Sequence, residues 1–243
     1  MFSCPLQESR VNGDPASLDR YQLKHFKYSS HYWILEFVSQ AQRPLRILDV
    51  GTADGYLGAI LKQQGHFVVG VERDAMLAEK ARRYYDAFHL ADLEAFDFPY
   101  ENEFDFILLA DVLEHLRDPA AILSRILPAL KQSGKVILSV PNIANFIVRG
   151  LLLFGHFEYT ERGILDQSHL RFFTLATINK LICENGYRIV DVVPTPVPIQ
   201  LVVPKSDKRI FAPLHELHYA IVRARKTFFA YQFVISCAHR ANL

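Results

Sequence analysis

The chain has 243 residues, a formal net charge of +1 and a hydrophobic fraction of 50%, which suits one large domain with a buried core. A near-neutral charge argues against a dedicated nucleic-acid-binding protein, because phosphate neutralisation needs a concentrated basic surface. Cys4, Cys183 and Cys237 form no Cys-x-x-Cys pair, which predicts a reducing, cytoplasmic location and no metal site. We also expect no secretory signal and no transmembrane helix, since no charge-free apolar run reaches about 18 residues.

The first 61 residues contain a predicted helix and then the most informative turn of the chain. Residues 1–17 predict an irregular lead-in, and residues 18–40 carry apolar side chains at helical spacing. Residues 46–61 predict a buried strand, a tight glycine turn and an amphipathic helix. Two residues argue against a dinucleotide at this turn: Asp49 is an acid where an anion would bind, and Tyr56 stands where the dinucleotide fingerprint needs a small residue. Asp49 suits a cationic ligand instead.

The same order of strand and helix recurs up to residue 193, which predicts an α/β fold with a doubly wound, mostly parallel sheet. After the first strand, predicted strands cover residues 66–72, 88–93, 106–110, 134–140 and 187–193, and predicted helices cover 75–86, 119–130 and 175–185. Polar residues follow the strands, namely Glu72, Asp92, Asp111 and Asn142. Because ligands of open sheets bind at the carboxyl ends of the strands, this convergence predicts a ligand site. Asp92 has an alternative interpretation as the cap of a local turn.

Three segments resemble one enzyme family. Asp49-x-Gly51-x-Ala53-x-Gly55 resembles the first motif of class I S-adenosylmethionine-dependent methyltransferases, with Ala53 in place of the middle glycine. Residues 111–119 resemble the Asp-Val-Leu-Glu-His-Leu-x-Asp-Pro stretch of one branch of that class. Residues 166–174 resemble the Asp-x-Thr-His-x-Arg-Phe-Phe-Thr stretch of members associated with glycan and polysaccharide synthesis, with Ser168 replacing the threonine.

The resemblance implies a single domain over residues 1–243, built on a Rossmann-like sheet of seven strands. The cofactor-binding core would cover residues 45–193, and the last strand, residues 228–238, would run antiparallel between strands five and six. Residues 194–227 would form a lid-like insertion with a basic amphipathic helix over 214–226. For residues 228–238 an amphipathic membrane helix is the alternative, although their aromatic and β-branched content favours a strand.

S-adenosylmethionine is the cofactor that the resemblance implies. Its predicted binding residues are Asp49, Gly51, Thr52, Ala53, Gly55, Tyr56, Glu72, Arg73, Asp92, Leu93, Ala110 and Asp111. In related enzymes a helix before the first strand often packs over the cofactor, and Tyr28, His31 and Trp33 would close the site in that way. The alternative is that these three side chains only pack a surface helix.

His169 and His115 are the predicted catalytic residues, because an imidazole near neutral pKa can remove a proton from an acceptor hydroxyl. His169 has a second interpretation as a structural residue held by Asp166 or Arg171. The leading prediction is O-methylation of a saccharide or another small molecule, without nucleic acid as a partner. Methylation of a quinone-like or lipid-linked acceptor, with peripheral membrane contact through the apolar residues 147–157, is the second interpretation. A binding module without chemistry is the third.

Overall fold

The computed structural model describes residues 27–198 and 211–240, and these contain a seven-stranded sheet in the order β3-β2-β1-β4-β5-β7-β6. The strands are β1 Arg46–Val50, β2 Phe67–Glu72, β3 Ala87–Leu90, β4 Phe104–Ala110, β5 Leu130–Pro141, β6 Tyr187–Thr195 and β7 Gln232–His239. Pairs among β1 to β5 are parallel, whereas β7 is antiparallel to both β5 and β6. The doubly wound fold class and the place of the antiparallel last strand are therefore confirmed.

Eight α-helices accompany the sheet in the described ranges: α1 Ser30–Ser39, α2 Tyr56–Gln63, α3 Ala75–Ala81, α4 Pro119–Ile126, α5 Phe146–Leu153, α6 Leu175–Glu184, α7 Ala212–Ala224 and α8 Lys226–Phe229. Local capping chemistry explains several starts, since Asp74 and Asp118 accept backbone N–H groups at the starts of α3 and α4. Thr174 and Thr177 form a capping box at the start of α6.

The core has two parts because helices cover both faces of the sheet. One apolar cluster joins α4, α6 and α7 to one face through residues such as Ile122, Ile178 and Val222. The other joins α1 and α2 to the opposite face through residues such as Ile34 and Leu61. Strand β4 is buried along its whole length, as expected for the centre of a sheet that is covered on both sides.

The predicted N-terminal helix is shorter in the described residues than in the sequence prediction. Residues 27–29 form a turn, and α1 begins at Ser30, with Ser29 accepting the N–H of Tyr32. Tyr28 has a positive φ of 71°, which ends helical geometry on that side. Residues 18–26 lie outside the described residues.

Several other predicted boundaries were wrong by a few residues. Helix α3 ends at Ala81 in a short 3₁₀ turn instead of continuing to residue 86. Strand β3 ends at Leu90, so Asp92 lies in the turn that follows it. Helix α5 was not predicted, and α7 begins and ends two residues earlier than expected.

The last strand begins four residues later than predicted, because Lys226–Phe229 is a helical turn. The side-chain amides of Asn142 and Asn145 donate to the carbonyl of Ala230, at 2.9 Å each, and so fix the end of this turn. Residues 232–239 are a strand, so the membrane-helix interpretation of this segment was wrong. Among the described helices, none combines the length and the apolar character that crossing a bilayer requires.

Candidate active site

The glycine turn between β1 and α2 has three residues in the left-handed region. Gly51, Ala53 and Gly55 have φ values of 78°, 50° and 86°. A Cβ at Gly51 would lie 2.8 Å from a methyl group of Val112, and a Cβ at Gly55 would lie 2.8 Å from the Cα of Ala81. Conformation and space therefore both require glycine at these two positions, whereas Ala53 carries a side chain in a conformation that favours glycine.

Asp49, near the end of β1 and just before this turn, is only 1% exposed. The Tyr85 hydroxyl donates to Asp49 Oδ2 at 2.6 Å. Burial raises the pKa of Asp49 to about 6, the nearby Glu72 charge raises this pKa as well, and the Tyr85 hydrogen bond opposes the rise. Tyr85, which sequence reasoning missed, thus orients the Asp49 carboxylate.

Glu72 at the end of β2 connects two segments of the site. Its Oε2 accepts the N–H of Ala53 at 2.9 Å, and its Oε1 accepts the N–H groups of Arg73 and Asp74 at 2.8 and 2.9 Å. Glu72 is 8% exposed, while Arg73 is exposed. Glu72 therefore holds the strained Ala53 peptide in place.

Asp92 and Leu93, both predicted to bind the cofactor, are arranged differently from each other. Asp92 is exposed, and its Oδ1 accepts the N–H of Glu94 at 3.0 Å. Leu93 is buried in the core. The turn-cap interpretation of Asp92 thus has a matching hydrogen bond, and a role in cofactor binding stays a prediction.

Asp111 follows β4 directly and has a φ of 56°. Its N–H donates to Ser139 Oγ at 2.9 Å, and its Oδ1 accepts the Ser139 hydroxyl and, at 3.0 Å, the Gln232 amide. Strands β4, β5 and β7 therefore meet at this carboxylate, next to the buried Ala110. Sequence reasoning missed Ser139 and Gln232, although a polar residue inside an otherwise apolar strand was a visible signal.

The two predicted catalytic histidines lie together, with ring centroids 4.9 Å apart. His169 is 9% exposed, and burial together with the neighbouring His169 lowers the pKa of His115. The Asp166 carbonyl accepts the backbone N–H of His169 at 3.0 Å, and His169 Nδ1 donates to the Ile164 carbonyl at 3.1 Å, so the structural interpretation of His169 has matching contacts. The side chain of Asp166 accepts from Ser168, and Arg171 donates to the Arg117 carbonyl.

Glu114 completes this histidine cluster, and sequence reasoning did not single it out. Its side chain is 1% exposed. One potential ligand atom from each of Glu114, His115 and His169 lies within 4.8 Å of the other two. The prediction of no metal site was based on cysteine spacing. This cluster instead combines two adjacent residues, Glu114 and His115, with His169 from a distant segment.

Helix α1 contacts the start of α2 and the lid-like segment. Tyr56 and His31 share a hydrogen bond of 3.0 Å between Oη and Nε2. Tyr28 stacks on Tyr219 of α7 at a centroid distance of 3.9 Å and on Trp33 at 6.0 Å. These contacts agree with the packing interpretation of Tyr28 and Trp33, and closure over a cofactor stays a prediction.

An open cleft of about 540 Å³ lies between the start of α4 and α6. Its walls include Asp118, Arg171 and Lys180. None of the predicted cofactor or catalytic residues lines it. We therefore place the candidate site at the strand ends, where the conserved geometry of doubly wound sheets puts ligands.

The chain is similar to known proteins both in sequence and in fold. A family model described as "Methyltransferase domain" matches residues 24–192. The ubiquinone biosynthesis O-methyltransferase of Bradyrhizobium diazoefficiens is 30% identical over 73% of this chain and 70% of its own length. The tRNA 5-carboxymethoxyuridine methyltransferase of Escherichia coli is 25% identical over 49% of each chain. The chain spans 48% to 70% of the length of the ubiquinone enzymes that it matches.

Among solved structures, magnesium protoporphyrin IX methyltransferase from Synechocystis, with bound SAH, matches with a TM-score of 0.60. It is 16% identical, and the match covers 86% of this chain and 82% of that chain. This likeness confirms the fold. Because the family model covers more than half of the sequence, the chain belongs to the methyltransferase-domain family and is a class I S-adenosylmethionine-dependent methyltransferase.

Proposed function

We propose that this enzyme transfers the methyl group of S-adenosylmethionine to a hydroxyl of an apolar, quinone-type phenol. The relatives that support this acceptor class are ubiquinone biosynthesis O-methyltransferases. The sequence prediction of a saccharide acceptor depends only on the resemblance of residues 166–174 and has no support among the relatives. An aromatic acceptor therefore replaces the saccharide as the leading proposal.

The observation that carries the proposal is the connection between α5 and the histidine segment. Leu153 and Phe154 at the end of α5 are 80% and 78% exposed. Large apolar side chains exposed side by side are typical of a binding surface. On its inner side, Val148 of α5 packs against Ile164 and Leu165 in a small separate core. Ile164 also holds His169. An apolar acceptor that reaches α5 would therefore arrive beside the histidine pair.

The chemistry fits a hydroxyl acceptor. Methyl transfer from a sulfonium is an in-line displacement, so the protein must align the acceptor oxygen and exclude water. Because burial and the neighbouring His169 lower the pKa of His115, the neutral ring is favoured, and this form can accept the phenol proton. The phenol oxygen then forms the new O–CH₃ bond while the S–CH₃ bond of the sulfonium breaks.

The test is an acceptor panel with methyl-labelled S-adenosylmethionine, comparing a short-chain prenylated catechol with methyl glycosides and nucleotide sugars. We expect label in the phenol and none in the sugars. His115→Ala should lower turnover on the phenol by about 100-fold, as for loss of a proton-transfer group, while the dissociation constant of the cofactor changes less than twofold.

His156→Ala is the matched control, because His156 is exposed and lies between α5 and the histidine segment; it should leave turnover unchanged. Transfer to sugars alone would refute the phenol proposal. Cofactor binding by calorimetry without transfer to any acceptor would favour the binding-module interpretation.

A further inference from the structure

The structure assigns a divalent metal site to Glu114, His115 and His169. Ligand atoms of these three side chains lie within 4.8 Å of one another. Two atoms bound to one ion through bonds of roughly 2.0–2.2 Å are at most about 4.4 Å apart. Small side-chain rotations therefore suffice to bring all three onto a single ion.

Both imidazoles are oriented as metal ligands usually are. His115 Nδ1 lies 3.2 Å from the Ser168 carbonyl oxygen, and His169 Nδ1 lies 3.1 Å from that of Ile164. A carbonyl oxygen only accepts, so Nδ1 carries the hydrogen in each ring and Nε2 presents its lone pair. A backbone carbonyl on one ring nitrogen is the outer contact that fixes metal-binding histidines.

Backbone hydrogen bonds hold the two segments that supply these ligands. The N–H groups of Leu170 and Arg171 both donate to the Glu114 carbonyl, at 2.8 and 3.0 Å. The guanidinium of Arg171 also donates to the Arg117 carbonyl. These hydrogen bonds hold the residues next to His169 against the turn that carries Glu114 and His115. The three side chains therefore lie close together without a bound ion.

The donor set selects the class of metal. Two imidazole nitrogens and one carboxylate suit Zn²⁺, Fe²⁺, Co²⁺ or Mn²⁺, whereas Mg²⁺ prefers an all-oxygen site. Two histidines and one glutamate are also a common set in catalytic zinc sites, which keep a position open for water or substrate. A first-row transition ion with an open position is therefore the expected occupant.

The role of this ion rests on the proposed function. A phenol oxygen on the open position would lose its proton to water at neutral pH, because a bound cation lowers the pKa of coordinated oxygen. The phenolate then forms the O–CH₃ bond as the S–CH₃ bond breaks, which leaves a neutral thioether. The histidine pair would hold the metal in this case instead of accepting the proton.

The experiment titrates the EDTA-treated, dialysed full-length chain with Co²⁺ alone and follows the visible absorption of the ion. We expect one equivalent to bind. Glu114→Gln, His115→Gln and His169→Gln should each weaken Co²⁺ binding at least 30-fold, and the exposed control His156→Gln should leave it unchanged. Equal affinities in all five proteins, or no binding by the wild type at 100 equivalents, would overturn the site.

Two further measurements keep the inference falsifiable if a variant fails to fold. X-ray absorption at the cobalt edge of the wild-type protein should show two imidazole ligands, and fewer would refute the assignment. Turnover of the prenylated catechol should fall after chelation and return with Zn²⁺ or Mn²⁺. Full turnover without metal would refute the catalytic role while leaving the phenol proposal intact, whereas Co²⁺ binding without any phenol methylation would refute the proposed function alone.

Discussion

At the scale of single residues, Ala53 is the point where this chain departs from the methyltransferase motif, and its φ of 50° gives that departure a cost. A left-handed alanine is disfavoured by roughly 1–2 kcal/mol, while glycine loses about 0.5–1 kcal/mol more backbone entropy on folding. We therefore expect Ala53→Gly to raise the free energy of unfolding by about 0.5–1 kcal/mol and to tighten cofactor binding.

Urea unfolding and calorimetry with S-adenosylmethionine measure the two effects of Ala53→Gly. The matched control is Ala59→Gly in α2, where the same change in an ordinary helix should lower stability by about 0.5–1 kcal/mol. If Ala53→Gly destabilises the protein as much as Ala59→Gly, then position 53 is not strained.

Asp49 makes stability depend on pH. Its folded pKa of about 6 lies above the ordinary pKa of 3.8 for an aspartate, so the folded state binds more protons than the unfolded chain between these values. Its contribution to stability is therefore greatest below pH 4 and falls as pH rises to about 6, by about 3 kcal/mol for two pKa units. Asp49→Asn should remove this fall, so the variant should gain stability over the wild type as pH rises.

Unfolding midpoints at pH 4, 5, 6 and 7, measured without cofactor, give the difference between wild type and Asp49→Asn at each pH. Comparing differences cancels the other groups that titrate in this window. A difference that is constant from pH 4 to pH 7 would mean that burial does not raise the pKa of Asp49.

At the scale of secondary-structure elements, the exposed apolar end of α5 should bind membranes peripherally. Burial of a large apolar side chain in lipid is worth about 1.5–3 kcal/mol, so Leu153→Asp combined with Phe154→Asp should lower vesicle binding at least tenfold. Flotation with vesicles of phosphatidylcholine and phosphatidylglycerol measures the bound fraction. Both side chains are largely exposed, so the folded state should tolerate the change.

The control for this test is Leu90→Asp. Leu90 is 52% exposed and ends the edge strand β3, which lies four strands from β5 in the sheet. Leu90→Asp places a charge at an exposed position and leaves α5 unchanged. Loss of flotation in both proteins would show that charge, not the α5 surface, controls membrane binding.

The elements were predictable from sequence where local patterns decide them. The continuous apolar run of β4 predicts a buried strand, and the glycine spacing from Asp49 to Gly55 predicts a tight turn, so both elements were predicted correctly. Helix α5 was missed because a short apolar run does not distinguish a helix from a strand. The start of β7 was misplaced because Phe228 and Phe229 favour strands by composition, whereas the Asn142 and Asn145 amides, distant in sequence, cap a helical turn there.

The same reasoning explains the parts of the site that sequence could not supply. Asp49 meets Tyr85 across 36 residues of chain, and Asp111 meets Gln232 across 121. Such contacts follow from the order of strands in the sheet, which a single sequence does not specify. The metal cluster depends in the same way on His169, which lies 54 positions after its neighbour in space, His115.

At the scale of the whole molecule, β7 joins the two parts of the sheet, and Cys237 reports on this junction. Strand β7 pairs with both β5 and β6, and the Cys237 thiol is fully buried. Burial raises the pKa of this thiol to about 12, so it is unreactive in the folded state. Cys183 is exposed. We expect iodoacetamide to modify Cys183 at once and Cys237 only when the whole sheet opens.

Peptide mass spectrometry after labelling over a series of urea concentrations measures each thiol separately. Because global unfolding exposes buried surface and local opening exposes little, labelling of Cys237 should accelerate with urea along the same curve as the loss of secondary structure. Cys183 should show no such dependence. Rapid labelling of Cys237 without urea would mean that β7 detaches from the sheet on its own, and the antiparallel last strand would then not be a fixed part of the folded core.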